Sequence, residues 1–529
     1  MEFRFPDPAE KKRFTLYGEA ARGRECPRTM TWAQRVIVER LGARAQMIEW
    51  IGSHFVLAST VFVVVAAVVA GIHALLSKSD VRAAIGWVGL IVLVPLVGTV
   101  LYYLIGINRI RRRAVALRRE AEEDRENSWP GESLLPGDIV RMLKANDEGV
   151  ELAHLMGNVT SRTLLAGNLV EPLINGDEAY PAMVAAIRDA ETSVVLLTYI
   201  FDHDSAGKEF MEALVDAKSR GVEVRVLIDD VGSQYSRPRV SRLLKREGVR
   251  VASFLPMFSA RVPSFNLRNH RKIMVVDGHI GFTGGMNIRE NFVLSNGPKH
   301  PGMDLHFRLQ GPVVAHLRDT FAEDWEFTTG ESLEGDAWNP TIASAGNTIA
   351  RGVADGPDAD VDVLNFTLLG AIACASRSIR IVTPYFLPDT PLVYALNTAA
   401  LSGLDVDIVV PENGNLRLVN WAMWGQIDQV LGHGCRVWLS PRTPFDHTKL
   451  MIVDDYWVLF GSTNWDPRSL RLNFEFNVEC YDRNLAAQMR GLVVERIRRA
   501  RRLTKTEVDR RNLPTRLRDG AARLLTPYL

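Results

Sequence analysis

The stretch Asn269–Asn287 reads NHRKIMVVDGHIGFTGGMN, and its spacing recurs in the second half of the chain, where Asp446–Asn464 reads DHTKLMIVDDYWVLFGSTN. Both follow the pattern H-x-K, four residues, D, six residues, G-[GS]-x-N. The residues that share these positions are His270, Lys272, Asp277 and Asn287 in the first copy and His447, Lys449, Asp454 and Asn464 in the second. A long spaced pattern that occurs twice indicates an internal duplication.

Each copy contains a short apolar run that is rich in β-branched residues, Ile273–Val276 or Leu450–Val453, which predicts a buried strand. Residues two apart share a face of a strand, so the histidine and lysine of each copy point the same way. The aspartates lie five residues beyond the lysines, an odd step that puts them on the opposite face. This parity favours a structural role for Asp277 and Asp454.

An imidazole beside an ammonium and an amide suits attack on a phosphate ester. The imidazole is the nucleophile or the acid, the lysine holds the charge, and the asparagine donates to the oxyanion. Two such sets imply two histidines with opposite roles. A single H-x-K on a strand is more often an ordinary surface pair, but a second match of the whole pattern favours catalysis.

The two segments resemble the paired HKD motifs of the phospholipase D superfamily, and the whole chain resembles the bacterial cardiolipin synthases of that superfamily. The resemblance implies an α/β fold with two tandem phospholipase D-like domains about a pseudo-two-fold axis and the site at their seam. We expect no metal and no cofactor, because exchange between similar phosphodiesters is close to balanced and the positive side chains hold the phosphate. Carried over to this sequence, the catalytic set is His270, Lys272, Asp277, His447, Lys449 and Asp454, with Asn287 and Asn464 on the substrate phosphate.

A further carboxylate follows each motif, Asp304 in GMDLHFRLQG and Glu475 in RLNFEFNVE. A catalytic imidazole needs an acceptor on its far nitrogen, and superfamily members supply a carboxylate at about these distances. We therefore predict that Asp304 and Glu475 orient the histidines. The alternative is an acid on a strand surface, and Met303 stands where related synthases tend to have Trp.

Two uncharged apolar runs, Phe55–Leu76 and Ala83–Ile107, precede the motifs. Each is long enough to cross a hydrocarbon core of ~30 Å. With only Ser77–Arg82 between them, they predict a two-helix transmembrane hairpin whose ends share one side. Basic residues flank both ends, and the positive-inside rule then places both termini in the cytoplasm, at the bacterial inner membrane. These flanking residues are Arg35, Arg40, Arg44, Arg109, Arg111, Arg112, Arg113, Arg118 and Arg119.

Strand and helix patterns recur in the same order in both halves, for example Ser193–Phe201 and Ser378–Phe386, and predict βαβ units. The predicted organisation is a cytoplasmic segment (1–50), the transmembrane hairpin (51–108), a charged linker (109–150), the first phospholipase D-like domain (151–330), a second linker (331–360), the second such domain (361–503) and a basic tail (504–529). The Arg-rich helix Asn484–Arg502 and the closing LRDGAARLLTPYL are either a solvated helix with a docked tail or a second headgroup contact.

The charge balance and the cysteine content limit the classes of function that the chain can have. The 62 acidic and 63 basic residues nearly cancel, so no global field favours nucleic acid. The four cysteines are scattered and predict free thiols.

The resemblance implies that two phosphatidylglycerol molecules are joined into cardiolipin, with release of glycerol, through a phosphohistidine on His270 and with His447 as acid and base. One alternative is the same chemistry with water or another alcohol as acceptor. Another is a membrane-tethered nuclease or a non-catalytic binding protein. Acyl-chain preference and oligomeric state stay open.

Overall fold

The computed structural model describes residues 32–78, 81–106, 141, 143, 149–160, 162–256, 267–357 and 362–526. The chain divides into two compact units, Met1–Ile107 and Asn108–Leu529. The first 31 residues and the Arg-rich run predicted after the second apolar segment lie outside the described residues.

The described part of the first unit begins with one long helix, α1 (Trp32–Ser77). Its part Gln46–Ser77 is the one helix among the described residues that is long and apolar enough to cross a membrane. At 1.5 Å per residue these 32 residues extend about 48 Å, beyond the ~30 Å of a hydrocarbon core. The predicted first span is therefore present as a helix of sufficient length.

The second apolar run is not one helix. It forms α2 (Val81–Leu93), α3 (Pro95–Leu101) and a π-helical turn, Tyr102–Gly106. Val94 has φ −136° and ψ 74°, outside the helical region, and Pro95 cannot donate the hydrogen bond that would continue α2.

After this break the chain folds back along α2. The ring centroids of Trp87 and Tyr102 are 5.2 Å apart, and a Cβ on Gly98 would lie 2.5 Å from the Leu90 carbonyl oxygen. Glycine is therefore required where α2 and α3 meet.

This fold-back corrects the predicted second span. Lys78 Nζ donates to the Gly106 carbonyl at 2.5 Å, so the pair of short helices begins and ends at the same end of α1. The 13 residues of α2 extend only about 20 Å, short of a full crossing. A uniformly apolar composition predicted one helix because hydropathy alone does not register the break at Val94.

The second unit contains two repeats of alternating strands and helices. In the first repeat the elements are α4 (Val150–Val159), β1 (Leu165–Ile174), α5 (Asn175–Asp189), β2 (Ser193–Thr198), α6 (Ser205–Ser219), β3 (Glu223–Asp229), α7 (Val240–Arg246), β4 (Arg250–Phe254), β5 (Arg268–Asn269), β6 (Ile273–Val276), β7 (Ile280–Gly284), β8 (Gly302–Met303), β9 (Leu305–Gln310) and α8 (Val314–Thr329).

The second repeat follows a similar order, with two helices at the position of α7, a helix at that of β8, and an extension at its end. Its elements are β10 (Thr348–Asp355), α9 (Val363–Ala373), β11 (Ser378–Val382), α10 (Thr390–Leu401), β12 (Asp405–Pro411), α11 (Arg417–Trp424), α12 (Asp428–Leu431), β13 (Arg436–Ser440), β14 (Phe445–Asp446), β15 (Leu450–Val453), β16 (Trp457–Gly461), α13 (Pro467–Arg471), β17 (Asn473–Tyr481), α14 (Arg483–Arg499), β18 (Arg501–Leu503), α15 (Lys505–Asp509) and α16 (Leu513–Leu524).

One continuous sheet joins the two repeats in the order β18-β13-β12-β11-β15-β16-β17-β10-β1-β9-β7-β6-β2-β3-β4. β1 and β10 pair antiparallel at its centre, with Leu165 opposite Ala350. From that pair outward, the strands on one side are the counterparts of those on the other, which confirms the duplicated α/β fold and its pseudo-two-fold order.

The core lies on both faces of this sheet. The two predicted motif strands, β6 and β15, are buried along their whole length, as their unbroken apolar sequence requires. Across the middle of the unit the rings of Phe307 and Phe460 stack with centroids 3.5 Å apart, so side chains of both repeats share one core cluster.

Two predicted irregular segments contain regular structure. The linker predicted over 331–360 includes β10, the central strand of the second repeat, and the tail predicted over 504–529 includes α15 and α16. Both were missed because their pairing or packing partners are distant in sequence.

The motif aspartates hold turns at the far end of the motif strands. Asp277 and Asp454 each have φ of +50°. The Asp277 carboxylate accepts hydrogen bonds from the backbone of residues Glu191, Thr192 and Ser193 at 2.8 to 3.2 Å. The Asp454 carboxylate accepts the equivalent bonds from Ser376, Arg377 and Ser378. These bonds fasten β2 and β11, and they support the structural role that strand parity favours for Asp277 and Asp454 over the catalytic role implied by the resemblance.

We predict that Asp277→Asn lowers stability and spares catalysis. The amide replaces one acceptor oxygen by a donor that faces backbone N–H groups, at a cost of roughly 1–3 kcal/mol. The apparent thermal midpoint should fall by several degrees, while specific activity well below that midpoint stays near the wild-type value. A lost activity with an unchanged midpoint would return Asp277 to the active site.

Candidate active site

Two short exchanged strands position the histidines. β5, just before His270, pairs with β17 of the second repeat, with Asn269 opposite Phe474. β14, just before His447, pairs with β8 of the first repeat, with Asp446 opposite Met303. The backbone N–H of His270 then donates to Phe474 at 2.9 Å, and that of His447 donates to Met303 at 2.8 Å. Each motif is thus held in register beside the other repeat's carboxylate, which is Glu475 within β17 and Asp304 directly after β8.

The result is a crossed pair of hydrogen bonds. His270 Nδ1 lies 3.1 Å from both carboxylate oxygens of Glu475. His447 Nδ1 lies 2.7 Å from Asp304 Oδ2. Both carboxylates are fully buried, so each imidazole is oriented by an acceptor from the opposite repeat. With Nδ1 engaged, Nε2 is the nitrogen left to face a substrate.

Both motif lysines are buried beside their histidines. Lys272 Nζ donates to the His270 carbonyl at 2.5 Å. Lys449 Nζ donates to the His447 carbonyl, lies 3.2 Å from His447 Nε2, and lies 3.9 Å from Asp304 Oδ2. The ammonium groups therefore stand within reach of an anion that contacts the imidazoles.

Burial sets the charge state of the site. It lowers the pKa of the His447 imidazole to about 4, helped by Lys449 and opposed by Asp304, and it also lowers the pKa of His270 against the charge of Glu475. Burial lowers the pKa of Lys272 to about 7 and that of Lys449 to about 8. The imidazoles are consequently neutral near pH 7, which is the form that a nucleophile or base requires.

The buried carboxylates remain charged. Burial raises the pKa of Asp304, but Lys449 and His447 outweigh it and hold that pKa below its usual range. For Glu475, His270 and Lys272 have the same effect against burial. Below about pH 7, where both lysines are charged, two carboxylates therefore balance two ammonium groups before any substrate binds.

The motif asparagines are also buried at the site's edge. Asn287 Oδ1 accepts from the backbone N–H of Ile200 at 3.1 Å, which leaves its amide group as the donor. Asn464 Oδ1 is buried and has no hydrogen-bond partner among the described residues. The positions of Asn287 and Asn464 agree with the predicted phosphate-binding role, which stays a prediction.

The [GS] position of the motif supports the carboxylates in two different ways. Ser462 Oγ donates to Glu475 Oε2 at 2.5 Å, and Asn473 Nδ2 donates to Oε1 at 3.1 Å. Its counterpart Gly285 leaves space instead, because a Cβ there would lie 2.5 Å from Asp304 Oδ2. The residue at this variable position therefore matches the carboxylate that it contacts: glycine beside the aspartate and serine beside the glutamate.

Sequence reasoning missed His306, two residues after Asp304. Its side chain is buried, its Nδ1 has no hydrogen-bond partner among the described residues, and burial lowers its pKa to about 4. The equivalent position in the second repeat is Asn477, which donates to Thr463 at 2.7 Å. The sequence signal that could have identified His306 is the difference between D-x-H at Asp304–His306 and E-x-N at Glu475–Asn477.

Aromatic rings line both imidazoles. The Tyr199 ring centroid lies 5.3 Å from that of His270, and Phe292 and Phe445 lie 5.9 and 6.1 Å from His447. Apolar walls of this kind limit water around a reacting group and strengthen the local electrostatic interactions.

A duplicated α/β fold that brings two carboxylate-held histidines and two lysines into one buried cluster defines an enzyme of the phospholipase D class. Comparison with known proteins gives the family. The family model described as "Cardiolipin synthase, PLD-like domain" matches residues 183–325 and 368–495, and the model "Phospholipase_D-nuclease N-terminal" matches residues 64–106.

Curated relatives agree with the family models. The chain is 30% identical to the major cardiolipin synthase ClsA of Bacillus subtilis over 457 residues, covering 85% of this chain and 95% of that protein. It is 31% identical to cardiolipin synthase A of Pseudomonas putida over 467 residues, covering 87% and 95%. A solved structure of phosphatidylserine synthase from Haemophilus influenzae shares the fold, with a TM-score of 0.57, 17% identity, and coverage of 72% of this chain and 100% of that one.

The chain belongs to the cardiolipin synthase family, which confirms the resemblance carried by the two HKD motifs. It is a phosphatidyltransferase that acts on membrane phospholipids.

We predict that substrate binding weakens as pH rises. An amine loses its charge above its pKa, so Lys272 and Lys449 become neutral between about pH 7 and pH 8 in the free enzyme. The half-saturating surface fraction of phospholipid in mixed micelles should rise about tenfold for each pH unit above the relevant pKa. Lys449→Arg keeps its charge and should remove the step near pH 8. A flat profile for the wild-type enzyme would contradict these lysine charge states.

We also predict that the [GS] positions are not interchangeable. Gly285→Ala places a methyl against the Asp304 carboxylate and should displace it from His447, lowering kcat by at least a hundredfold. Ser462→Gly removes one hydrogen bond from Glu475 and should lower kcat about tenfold. Circular dichroism and the thermal midpoint control for folding. Equal losses in the two variants would refute the asymmetry.

Proposed function

We propose that the enzyme transfers a phosphatidyl group from one phosphatidylglycerol to another, forming cardiolipin and releasing glycerol. The observation that carries the proposal is the crossed pair of histidine–carboxylate bonds, with two buried ammonium groups beside them. Two acid–base groups around one anion site fit an exchange in which one alcohol leaves and a second enters.

In the first half-reaction His270 Nε2 attacks the donor phosphorus. A P–N bond forms, the bond from phosphorus to the glycerol oxygen breaks, and His447 gives a proton to that oxygen. The anionic phosphodiester and Asp304 both favour the protonated form of His447, so binding of the substrate prepares the acid.

In the second half-reaction His447 removes the proton from a hydroxyl of the acceptor phosphatidylglycerol. The acceptor oxygen attacks phosphorus, the P–N bond breaks, and His270 is restored. Lys272, Lys449, Asn287 and Asn464 hold the phosphate oxygens as negative charge develops. The donor and product bonds are similar phosphodiesters, so the exchange needs no input of free energy.

The choice of His270 as nucleophile rests on the superfamily, in which the N-terminal motif usually supplies it. The pseudo-two-fold arrangement by itself gives no preference.

We further propose that residues 151–330 and 361–503 are the two phospholipase D-like domains, since the family matches fall within them. The catalytic unit lies on the cytoplasmic side of the cell membrane, because the segment entering it carries Arg109, Arg111, Arg112 and Arg113.

The purified enzyme given phosphatidylglycerol alone should produce cardiolipin and glycerol in equal amounts, measured by lipid mass spectrometry and an enzymatic glycerol assay. Phosphatidic acid with no cardiolipin would replace this proposal by phospholipase D hydrolysis. Addition of ethanolamine or serine tests whether other alcohols compete as acceptors.

The two histidines should separate in a trapping experiment. With phosphatidylglycerol labelled in the phosphatidyl group, His447→Ala should accumulate acid-labile label on the protein, because the acceptor is no longer deprotonated. His270→Ala should carry none. Label on the His270 variant alone would reverse the two roles.

A further inference from the structure

The last helix of the chain, α16, exposes an apolar stripe. Leu513, Leu517 and Leu524 are 66%, 64% and 81% exposed. An α-helix turns about 100° per residue, so the three side chains lie within an arc of ~40° on one face. Single exposed leucines are ordinary, but three on one helix face form a contiguous surface.

The leucines of this stripe are not the residues by which α16 packs against the rest of the domain. Asp519 and Ala522 are the residues of the helix that are buried, and they lie on the opposite side. Asp519 accepts hydrogen bonds from Arg511 and Arg518, and a Cβ on Gly425 would lie 2.7 Å from the Asp519 carbonyl oxygen, so this side is fixed against α11. The leucines therefore point directly away from the domain.

Arginines border the stripe on both sides. Arg516 and Arg523 lie along one edge and Arg518 along the other, and all three are exposed. The guanidinium groups of Arg511 and Arg518 stand 4.6 Å from the rings of Trp424 and Trp421, which fixes their positions. A narrow apolar face with cationic borders is typical of helices that lie in a membrane interface.

We propose that α16 binds the surface of an anionic phospholipid membrane, with the leucines at the acyl boundary and the arginines on lipid phosphates. Charge decides between a membrane and a second copy of the chain. In a two-fold contact between identical helices, the arginine borders would face each other and repel. An anionic lipid surface complements them.

The proposal also separates two readings that the sequence left open. At the end of α14, Arg499 and Arg498 lie 2.9 and 3.6 Å from Glu495, as expected for a solvated, ion-paired helix. The lipid contact belongs instead to the closing segment, for which the sequence left both a docked tail and a headgroup contact open.

The test places a fluorophore on the stripe of the full-length protein. Leu517→Cys is labelled with an environment-sensitive dye on a background carrying Cys26→Ser, Cys374→Ala and His270→Ala, the last to prevent turnover. The protein is reconstituted into nanodiscs of phosphatidylcholine with or without phosphatidylglycerol. Leu401→Cys, an equally exposed leucine at 70% on α10, serves as the matched control.

With phosphatidylglycerol present, the dye at position 517 should shift to shorter wavelength and be quenched at least threefold more by spin-labelled lipid than the dye at position 401. The difference should shrink in neutral discs and at high salt. A blue shift without lipid quenching would mean that protein covers the stripe and would overturn the proposal. So would identical behaviour at positions 517 and 401.

A second measurement uses activity. Leu513→Ser with Leu517→Ser should raise the half-saturating surface fraction of phosphatidylglycerol at least threefold and leave maximal turnover unchanged, whereas Leu401→Ser should change neither. An unchanged surface fraction would also overturn the proposal. Because turnover of any product serves as the readout, this result does not depend on which acceptor the enzyme uses.

Discussion

The site depends on one constraint: neither repeat holds the acceptor for its own histidine. Glu475 orients His270 and Asp304 orients His447, so the two halves of the chain must be in register before either imidazole is set. The antiparallel pairing of β1 with β10, the Phe307–Phe460 stack and the exchanged strands β5 and β14 all maintain that register. The catalytic geometry consequently forms only when the two repeats pack in the correct register.

The site is also balanced in charge. Asp304 and Glu475 are opposed by Lys272 and Lys449, all of them buried, and both imidazoles are neutral near pH 7. A buried charge without a partner is costly, so this balance permits the cluster to exist without substrate. A phosphodiester adds one negative charge, which favours the charged form of both lysines and the protonated form of His447. Binding and preparation of the acid are thereby coupled.

Local patterns predicted the local parts of this structure. The motif strands β6 and β15, the shared face of His270 and Lys272, and the structural role of Asp277 all follow from composition and from the alternation of side chains along a strand. The crossing of the carboxylates does not, because it depends on which distant strand a two-residue segment pairs with. The outward direction of Leu517 was missed because it depends on how its helix packs against another helix.

The short strand β18 ends the sheet on one side only. It pairs with β13 through Leu503 opposite Val437 and Arg501 opposite Leu439, and among the described residues no counterpart covers β4 at the far side. An edge strand offers its N–H and C=O groups for pairing with another chain, so the three-residue β18 leaves a shorter free edge than the five-residue β13 would. A truncation just before Arg501 would thus leave the motifs intact but expose the edge of β13. Shortened versions of this protein would then be more prone to self-association.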